Sequence, residues 1–597
     1  MAYALKRTAH CGQLDSRHVG EDVVLNGWVN SCRHLGGLVF IDLRDREGMT
    51  QVVINPGEQP ALAGKAKEIR EEFVIGVKGV VRARPAAMVN PAMPTGDIEL
   101  DVRELVIFNR AEPMPFHLED PTVSEDLRLK YRYLDMRRSK LGPNLRLRHR
   151  LAKITRDYFD EEGFIEVETP VLSKSTPEGA RDYLVPSRVH PGKFYALPQA
   201  PQQYKQLLMV GGVEKYFQIA RCFRDEDLRA DRQPEFTQID VEMSFIDQED
   251  IIRLIEGLLA RIMKDVKGLD IDTPFPRLTH AEAMSRFGSD KPDLRFGMEL
   301  KDVSAIVADS AFGVFSGTVA AGGVVKGMNA TAQGGASRKQ IDAWTDVAKL
   351  FGAKGLAWVK VDAEGTLSGG VAKFLSEEEK AAIAAALDAN PGDLLLFVAD
   401  QAAVANAALG RLRCDIAAAA DMTPENMFTF LWVVEFPLLD YDEDEKRFVS
   451  VHHPFTSPLA ADADKLTTSP GEVRAQAYDV VLNGMELGGG SIRIHDPDVQ
   501  RRMFSVLGIS PAEARGQFGH LLDALAFGAP PHGGVALGFD RLAMLLAGAS
   551  SIRDVIAFPK TTKAACLMTD SPSPVAPRQL GELAIASTVV SEDTPLN

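Results

Sequence analysis

The most informative segment of this chain is Phe223-Arg224-Asp225-Glu226-Asp227-Leu228-Arg229-Ala230-Asp231-Arg232-Gln233-Pro234-Glu235-Phe236. It sets three arginines among several acids, between two runs that predict β-strands. Upstream, Tyr216-Phe217-Gln218-Ile219 is typical of a strand. Downstream, polar and apolar residues alternate from Gln238 to Met243, which predicts a half-buried strand with its polar residues on one face. Because guanidinium groups suit carboxylates and phosphates, the segment is either a solvated, salt-bridged hairpin or an anion-binding loop.

Four segments resemble signature motifs of the class II aminoacyl-tRNA synthetases, and more narrowly of the bacterial-type aspartyl-tRNA synthetases. The stretch quoted above resembles motif 2. The other three are Gly163-Phe164-Ile165-Glu166-Val167-Glu168-Thr169-Pro170, similar to motif 1, Ser175-Thr176-Pro177-Glu178-Gly179-Ala180-Arg181-Asp182, similar to the mobile substrate loop, and Gly534-Val535-Ala536-Leu537-Gly538-Phe539-Asp540-Arg541-Leu542, similar to motif 3. The resemblance covers nearly the whole chain. It implies a multidomain α/β (α+β) fold, with an N-terminal OB-type β-barrel and an antiparallel-sheet catalytic domain that carries an inserted α+β domain.

Length and composition limit the kind of protein. With 597 residues, the chain is too long for one hydrophobic core, so several domains are expected. No run of about eighteen apolar residues predicts a membrane span, and Met1 to His10 lacks the apolar centre of a signal peptide. Five scattered cysteines without a C-x-x-C pair are typical of reduced thiols, not of disulfides or a zinc site, so we expect a cytoplasmic location.

The charge pattern bears on nucleic-acid binding. The net charge of −16 argues at first sight against it. Phosphate contacts, however, need only local basic surface, because charge effects decay within a Debye length. Residues 128–150 hold nine Lys or Arg and one acid. This stretch either faces RNA or forms a solvated hinge, and the sequence leaves both interpretations open.

Changes of pattern along the chain predict the domain organisation. Residues 1–108 contain strand candidates at 23–29, 38–43, 50–54 and 73–77, separated by turn signals. Short strands of this kind fit a small Greek-key barrel among other β-barrels, and the resemblance makes it an anticodon-binding OB fold. The remaining segments are a hinge (109–140), the first part of the catalytic domain (141–297), an inserted domain (298–425), the second part of the catalytic domain (426–565) and a C-terminal extension (566–597).

The resemblance implies an ATP-dependent, AMP-forming aminoacyl-tRNA ligase. Such an enzyme activates L-aspartate with ATP to aspartyl-adenylate and then transfers aspartate to the 3′ end of tRNA(Asp). ATP is then a substrate, Mg²⁺ is an expected cofactor, and motif 1 implies a homodimer. Phosphoryl transfer depends mainly on positioning and charge stabilisation. In agreement, the sequence contains no G-x-x-x-x-G-K-[ST] loop and no G-x-G-x-x-G that opens a helix.

Residue roles follow from the motif matches. The implied catalytic residues are Arg224 on the α-phosphate, Arg541 on the γ-phosphate, and Glu486. The implied ATP contacts are Arg224, Asp225, Glu226, Gln233, Glu486, Gly538, Phe539, Asp540 and Arg541. The implied L-aspartate contacts are Glu178, Gln202, Lys205, Arg224, Asp240, His452 and Arg493. Within that set, Arg493 and Lys205 surround the side-chain carboxylate. For Arg224, a salt bridge to Asp225 or Glu226 is the structural alternative.

Asp479 and Glu486 can be placed without the resemblance. Asn483-Gly484 is the strongest two-residue signal for a β-hairpin turn. Such a turn sets Val481 opposite Glu486 and Asp479 opposite Gly488. The two acids are then diagonal neighbours on one face, about 7–8 Å apart, where they can share a hydrated Mg²⁺. Two exposed acids beside a turn are the alternative.

His452-His453 looks like a metal-binding pair. Adjacent strand residues point to opposite faces, so we expect the two imidazoles not to share an ion. The resemblance implies that His452 contacts the substrate and that His453 is structural.

Arg33, Phe40 and Gln51 match family positions that read anticodon bases by stacking and base-edge hydrogen bonds. A place in the barrel core is the alternative for Phe40. Relaxed bacterial members of the family charge both tRNA(Asp) and tRNA(Asn) with aspartate, and they often carry His directly before the Gly-Gly of the barrel. Leu35 stands at that place here, which favours the strict form. A catalytically inactive RNA-binding paralogue is the alternative from another class, and the intact motif residues argue against it.

Overall fold

The computed structural model describes residues 5–138, 140–176, 179–424 and 426–589. The chain forms two compact units. One extends to residue 145 and includes Cys566–Thr569, and the other comprises Arg146–Ala565 with the residues from 570 onward. Within the described ranges, no helix is both long and apolar enough to cross a membrane.

The first unit begins with a small β domain. Its elements are β1 (Asp22–Leu35), β2 (Leu38–Asp45), β3 (Gly48–Ile54), α1 (Pro60–Glu68), β4 (Val74–Ala83) and β5 (Ile98–Asn109). The strands close into a barrel in the order β1-β2-β3-β5-β4, with β3 and β5 parallel. Side chains such as Leu25, Ile41 and Leu100 fill its interior. The closed barrel confirms the predicted OB-type fold. The prediction omits β5, although polar and apolar residues alternate at its start.

Four arginines of the basic stretch after the barrel form ion pairs. It contains α2 (Glu125–Lys130) and α3 (Arg132–Asp135) and enters α4 (Leu141–Glu161). The buried carboxylate of Asp135 lies 2.6 Å from Arg132, 3.5 Å from Arg138 and 3.7 Å from Arg128. Arg137 lies 3.0 Å from Glu72, which the barrel contributes. These four arginines therefore each pair with a buried acid, while the choice between an RNA-facing surface and a solvated hinge stays open for the stretch as a whole.

The second unit is built on one large sheet. Its first group of elements is β6 (Ile165–Glu166), β7 (Leu184–Pro186), β8 (Phe194–Ala196), α5 (Gln202–Val210), β9 (Lys215–Phe223), β10 (Glu235–Ser244), α6 (Gln248–Lys267), β11 (Arg277–Thr279) and α7 (His280–Phe287). The stretch that opens the sequence analysis thus connects β9 to β10, which pair antiparallel.

A second, smaller sheet lies between residues 300 and 400. Its elements and their neighbours are β12 (Leu300–Asp302), α8 (Gly313–Ala320), β13 (Val324–Ala330), α9 (Arg338–Leu350), β14 (Ala357–Val361), β15 (Leu367–Ser368), α10 (Glu377–Ala386), β16 (Leu394–Asp400) and α11 (Ala402–Ala419). The strand order is β12-β13-β16-β14-β15. A capping box begins α10, since Ser376 and Glu379 exchange side-chain hydrogen bonds of 3.1 and 2.7 Å with each other's backbone N–H.

The chain then returns to the large sheet. The remaining elements are β17 (Phe430–Val434), β18 (Leu439–Asp442), β19 (Arg447–Ser450), β20 (Ala477–Leu482), β21 (Met485–Ile492), α12 (Pro497–Val506), α13 (Pro511–Ala526), β22 (His532–Gly538), α14 (Phe539–Ala547) and α15 (Pro577–Glu582). The order of the large sheet is β11-β17-β20-β21-β22-β10-β9-β6. Its central pairs are antiparallel, and the edge strands β11 and β6 pair parallel to their neighbours.

The two faces of the large sheet have different roles. On one face, apolar side chains of β10, β17, β20 and β22 pack with those of α4, α6 and α14 into the largest core cluster. The opposite face of β10 carries Asp240 and Glu242, which are fully buried. The prediction that β10 is half-buried is therefore wrong. Lys205 of α5 and Arg493 cover the polar face, so a polar alternation here does not mark exposure to solvent.

Candidate active site

A cavity of about 580 Å³ opens on the polar face of the large sheet. Strands β10, β20, β21 and β22 form its floor, and α5 and the start of α14 form part of its walls. Most of the predicted site residues line it together: Gln202, Lys205, Arg224, Glu226, Gln233, Asp240, His452, Asp479, Glu486, Arg493, Gly538, Asp540 and Arg541. Glu178 lies outside the described residues, and Asp225 and Phe539 do not line the cavity.

One end of the cavity holds four buried charges. Arg493 donates from Nε and Nη2 to the two oxygens of Glu242, at 2.9 and 3.1 Å. Lys205 Nζ lies 2.8 Å from Asp240 Oδ1 and 3.4 Å from Glu242 Oε2. The two acids come from one face of β10, because they are two residues apart on the strand. Two cations and two carboxylates thus form a closed group that is kept from solvent.

Burial and pairing move the pKa values of this group in different directions. Burial raises the pKa of Asp240, although the neighbouring Lys205 opposes the shift. Burial alone would raise the pKa of Glu242 as well, but Arg493 and Lys205 outweigh it and hold that pKa below its usual value. Glu242 is therefore the firmly ionised partner that orients Arg493.

Arg493 retains donor capacity toward the cavity. A guanidinium group has five N–H donors. Nε and Nη2 each use one donor on Glu242, and Nη1 donates to Ser491 Oγ at 2.7 Å and lies 2.7 Å from His453 Nε2. One Nη2 hydrogen remains for a ligand. A carboxylate that enters this end of the cavity would therefore meet a cation that is already fixed in orientation.

The two adjacent histidines differ from their prediction. They follow β19 in an irregular segment, and both line the cavity. Burial and the nearby Arg493 hold the pKa of His453 well below its usual value, so its imidazole is neutral and can accept a hydrogen bond from Arg493. His452 Nε2 lies 3.9 Å from Asp479 Oδ1. The strand argument that separates the pair is wrong, since neither residue belongs to a strand.

Gln202 opens α5 at the same end of the cavity. Its Nε2 donates to Gln206 Oε1 at 3.0 Å, and Gln206 Nε2 lies 3.1 Å from His532 Nε2. This chain of buried amides connects α5 to β22. It leaves the Oε1 of Gln202 at the cavity wall, where an ammonium group could donate to it.

The other end of the cavity holds two arginines. The Arg224 guanidinium lies 5.1 Å from the centre of the Phe236 ring. Among the described residues, no carboxylate pairs with it, because Asp225 lies 3.6 Å from Arg181 and Glu226 accepts from Arg232 at 3.2 Å. The salt-bridge alternative for Arg224 therefore does not hold. A half-buried guanidinium without an anion is well suited to bind a phosphate or a carboxylate.

Arg541 reaches the same region from the first turn of α14. Its Nη1 donates to the carbonyl of Glu486 at 3.1 Å, and its Nη2 lies 3.2 Å from Asp231. These contacts direct the guanidinium toward the cavity beside the glycine-rich β21. The start of a helix also favours anions, so the position suits a phosphate.

Four predicted ATP contacts have structural partners. The side chain of Phe539 belongs to the largest core cluster, so it does not reach a ligand. Asp225 lies outside the cavity lining. Asp540 accepts from Arg148 and, at 2.7 Å, from the backbone N–H of Thr237. Gln233 uses its amide on Lys560, whose N–H donates to it at 2.7 Å and whose carbonyl accepts at 3.0 Å. The last two residues line the cavity while their side chains hold its walls together.

The hairpin that carries Asp479 and Glu486 turns at Asn483-Gly484, as predicted, and pairs Val481 with Glu486. Beyond that pair the register shifts, so that Asp479 lies opposite Gly489 and not opposite Gly488. The predicted register is wrong because Leu487 forms a β-bulge, which adds one residue to β21. Both acids still line the cavity.

The glycine run of β21 is required by close packing. A Cβ at Gly488 would collide with the carbonyl of Ala536 on β22, and one at Gly489 would collide with Asp479 Oδ1. The run therefore lets the carboxylate of Asp479 lie flat against the strand, and it keeps the cavity floor free of side chains.

The two acids suit a cation but do not enclose one. Burial and the neighbouring Asp479 raise the pKa of Glu486, and Arg541 opposes the shift. A bound cation would remove this repulsion. In the described part of the chain, no group of three or more His, Cys, Asp or Glu residues could hold a metal. Mg²⁺ commonly uses one or two carboxylates together with water and substrate phosphates, so the donor set fits that ion only in the presence of a phosphate ligand.

The barrel brings its three predicted residues to one outer face. Arg33 pairs with Phe40 across β1 and β2, and Gln51 pairs with Asp42 across β3 and β2. Phe40 and Asp42 lie two residues apart and share a face, opposite to that of buried Val39 and Ile41. The core alternative for Phe40 is therefore wrong. Arg33 lies 3.3 Å from Asp42, and Gln51 donates to Glu99 at 3.1 Å.

The sequence prediction misses Glu242, and it misses the cavity-lining residues His280 and Asp290. Glu242 shares the polar side of β10 with Asp240, so the alternation that opens the sequence analysis contains the signal for it. His280 begins the short helix α7 and Asp290 lies in the loop after it, and no local pattern relates either residue to β21.

Comparison with known proteins gives consistent results. A family model described as tRNA synthetases class II (D, K and N) matches residues 124–562, and one described as OB-fold nucleic acid binding domain matches residues 23–108. The chain is 57% identical to an aspartate–tRNA ligase of Geobacillus kaustophilus, over 98% of this chain and 99% of the relative. It is 56% identical to an aspartate–tRNA(Asp/Asn) ligase of Desulfatibacillum aliphaticivorans, over 98% of both chains.

Solved structures share the fold at lower identity. An asparaginyl-tRNA synthetase of Pyrococcus horikoshii superposes with a TM-score of 0.57 at 19% identity, covering 93% of this chain and 98% of the other. An aspartyl-tRNA synthetase of Entamoeba histolytica superposes with a TM-score of 0.58 at 19% identity, covering 94% and 92%.

Proposed function

The chain belongs to the class II tRNA synthetases (D, K and N), and from this membership we propose that it is an aspartate–tRNA ligase. It activates L-aspartate with ATP to aspartyl-adenylate, releases pyrophosphate, and transfers aspartate to the 3′ end of tRNA(Asp). The observation that carries the amino-acid assignment is the buried pair of cations at one end of the cavity. Lys205 and Arg493 are each fixed by a carboxylate of β10.

Aspartate fits this end of the cavity by charge. Its side-chain carboxylate would accept from Arg493 and lie near Lys205, and its ammonium group would meet Asp240 and the amide oxygen of Gln202. Glu178 and His452 are proposed as further contacts from the motif match. Asparagine would present an amide N–H₂ group to Arg493 and Lys205. Their buried N–H donors would then lack an acceptor, and such a mismatch is strongly disfavoured.

ATP fits the opposite end. Arg224 would hold the α-phosphate and the attacking carboxylate, and Arg541 would hold the γ-phosphate. Glu226, Gln233 and the backbone of 538–541 are proposed to surround the remainder of the nucleotide. Mg²⁺ would be held by Asp479 and Glu486 together with phosphate oxygens, and it would neutralise phosphate charge when bound. The protein itself supplies fixed donors that need no rearrangement during the reaction.

Transfer requires recognition of the tRNA. We propose that the outer face of the barrel with Arg33, Phe40 and Gln51 reads the anticodon. A relaxed enzyme that charges tRNA(Asn) as well is the second candidate function, and relatives at about 56% identity carry that name. Leu35, whose side chain is exposed at the turn beside this face, favours the strict form.

A homodimer is proposed on the basis of motif 1 and an exposed apolar surface. Large apolar side chains lie exposed around motif 1 and the β7–β8 hairpin: Ile165, Val171, Leu172, Leu184, Val189, Phe194 and Tyr195. Clusters of this kind on a soluble surface mark protein contacts. The division into barrel (1–108), hinge (109–140), two catalytic parts (141–297 and 426–565), inserted domain (298–425) and C-terminal extension (566–597) remains a proposal. A cytoplasmic location is proposed because the described residues contain no disulfide between cysteines.

Two assays test the proposed function. ATP–pyrophosphate exchange without tRNA should depend on aspartate and not on asparagine or lysine. Charging assays with purified tRNA(Asp) and tRNA(Asn) should give aspartyl-tRNA(Asp) alone for the strict form and both products for the relaxed form. Exchange that depends on another amino acid would contradict the assignment.

A further inference from the structure

The loop at 288–297 connects the inserted block to the cavity. Arg413 of α11 holds one side of this loop. Its Nη2 donates to the carbonyls of Asp293 and Phe296 at 2.7 and 2.8 Å, and its Nε donates to that of Gly297 at 3.0 Å. The guanidinium also lies 4.2 Å from the centre of the Phe296 ring. A single buried arginine of the inserted block thus fixes the backbone of the loop.

The start of the loop packs directly on α11. Gly288 has a φ of +65°, and a Cβ there would collide with the carbonyl of Asn406. A Cβ on Gly410 would meet the backbone of Gly288 at 2.7 Å. Two glycines therefore let the two backbones touch, and the loop and α11 are held in one relative position.

The other side of the loop reaches the two acids of the hairpin. Asp290 lines the cavity together with Asp479 and Glu486. Asp293 packs on the hairpin turn, where a Cβ on Gly484 would lie 3.0 Å from its own Cβ. Lys291 follows Asp290 in the chain, and its Nζ lies 3.0 Å from Asp290 Oδ1. The loop therefore places a cation beside a carboxylate that lines the cavity together with the acids proposed to hold Mg²⁺.

The ammonium group of Lys291 has hydrogen-bond donors that are not used within the described residues. Its Nζ donates to Asp290 Oδ1 at 3.0 Å, and within the described ranges no other acceptor takes a hydrogen bond from the ammonium group. An ammonium group has three N–H donors. Two remain for anionic oxygens near Asp290, which lines the cavity.

We propose that Lys291 binds the β- and γ-phosphates of ATP and the pyrophosphate that leaves, and that the inserted block positions it through Arg413. This rests on the proposed function. In the first step, a carboxylate oxygen of aspartate bonds to the α-phosphorus while the bond from that phosphorus to the bridging oxygen breaks. The electron pair stays on pyrophosphate, whose added charge Lys291 offsets. The inserted block thereby acts on adenylate formation itself.

The test is ATP–pyrophosphate exchange without tRNA. Lys291→Met should raise the KM for pyrophosphate about tenfold or more, because a hydrogen bond between charged groups is lost. The KM for aspartate should stay within about twofold, and Lys291→Arg should restore most of the affinity. Lys301→Met, which removes an exposed lysine of the inserted block, is the matched control and should behave like the wild type.

A second variant tests the positioning role. Arg413→Met should show the same selective rise in the KM for pyrophosphate, with Lys291 intact, while thermal unfolding reports its fold. An unchanged KM for pyrophosphate in Lys291→Met, or an equal rise in the KM for aspartate, would overturn the phosphate assignment. If the wild type exchanges with another amino acid, the aspartate assignment fails, and a selective pyrophosphate defect in Lys291→Met still supports this site.

Discussion

Glu242→Gln is the substitution that best isolates the buried charge group. The carboxylate accepts from Arg493 Nε and Nη2 at 2.9 and 3.1 Å and lies 3.4 Å from Lys205 Nζ. The side chains of Glu242 and Arg493 are 0% and 3% exposed. Glutamine keeps the shape but turns an N–H₂ group toward donors. Arg493 is then left buried with an unpaired charge.

The cost follows from this burial. Removing one partner of a buried ion pair destabilises a protein by about 3–5 kcal/mol. The free energy of unfolding, measured with urea, should fall by about that amount. Because Arg493 also loses its fixed orientation, the KM for aspartate in pyrophosphate exchange should rise by about a hundredfold or more, at about tenfold per 1.4 kcal/mol. Glu242→Asp should recover part of both.

Glu249→Gln is the matched control. Glu249 accepts two hydrogen bonds from Arg277, at 2.6 and 2.7 Å, so this pair also has two hydrogen bonds between a guanidinium and a carboxylate. Its side chain is 50% exposed, and a surface pair contributes only about 0–1 kcal/mol. If Glu242→Gln lowers the free energy of unfolding by no more than Glu249→Gln does, burial does not make the Glu242–Arg493 pair more important for stability than a surface pair.

Further predictions concern substitutions of Arg493, Glu486 and Phe40. Arg493→Leu should abolish aspartate-dependent exchange, with a loss of about a hundredfold or more, while equilibrium dialysis still finds ATP binding; near wild-type exchange would contradict the assignment. Glu486→Gln should raise the Tm of the ligand-free protein at pH 7–8, because ionised Glu486 opposes folding and its pKa is raised in the folded state. The gain in Tm should shrink as the pH falls through the folded-state pKa of Glu486 toward its unfolded-state pKa. The same variant should need more Mg²⁺ for adenylate formation. If the Mg²⁺ dependence of adenylate formation is unchanged, Asp479 and Glu486 have a structural role and do not bind the ion. Phe40→Ala should lower charging of tRNA(Asp) about tenfold, as expected for loss of one base stack, and should leave pyrophosphate exchange unchanged. If the variant charges tRNA(Asp) as well as the wild type does, Phe40 does not contact the anticodon.

The sequence predicts the elements of the site better than its fine geometry. The hairpin turn at Asn483-Gly484 is encoded locally, because both residues adopt positive φ. The bulge at Leu487 is not, since it depends on how closely Gly488 packs against β22. The register of Asp479 therefore could not be derived from the hairpin alone.

Burial of charge is the other point that the sequence does not reveal. The alternation along β10 predicts that Asp240 and Glu242 share a face, and they do. Whether that face meets water depends on Lys205 and Arg493, which come from distant parts of the chain. The same applies to the arginines of 128–138, whose charge is visible in the sequence while their pairing with the buried acids Asp135 and Glu72 is not.

The central claim is that this cavity joins aspartate to AMP before any tRNA is bound. The most direct measurement is ATP–pyrophosphate exchange by the purified chain without tRNA, with each of aspartate, asparagine and lysine in turn. We expect robust exchange with aspartate and none above background with the other two. Exchange that is equal for aspartate and asparagine, or absent with aspartate, would contradict it.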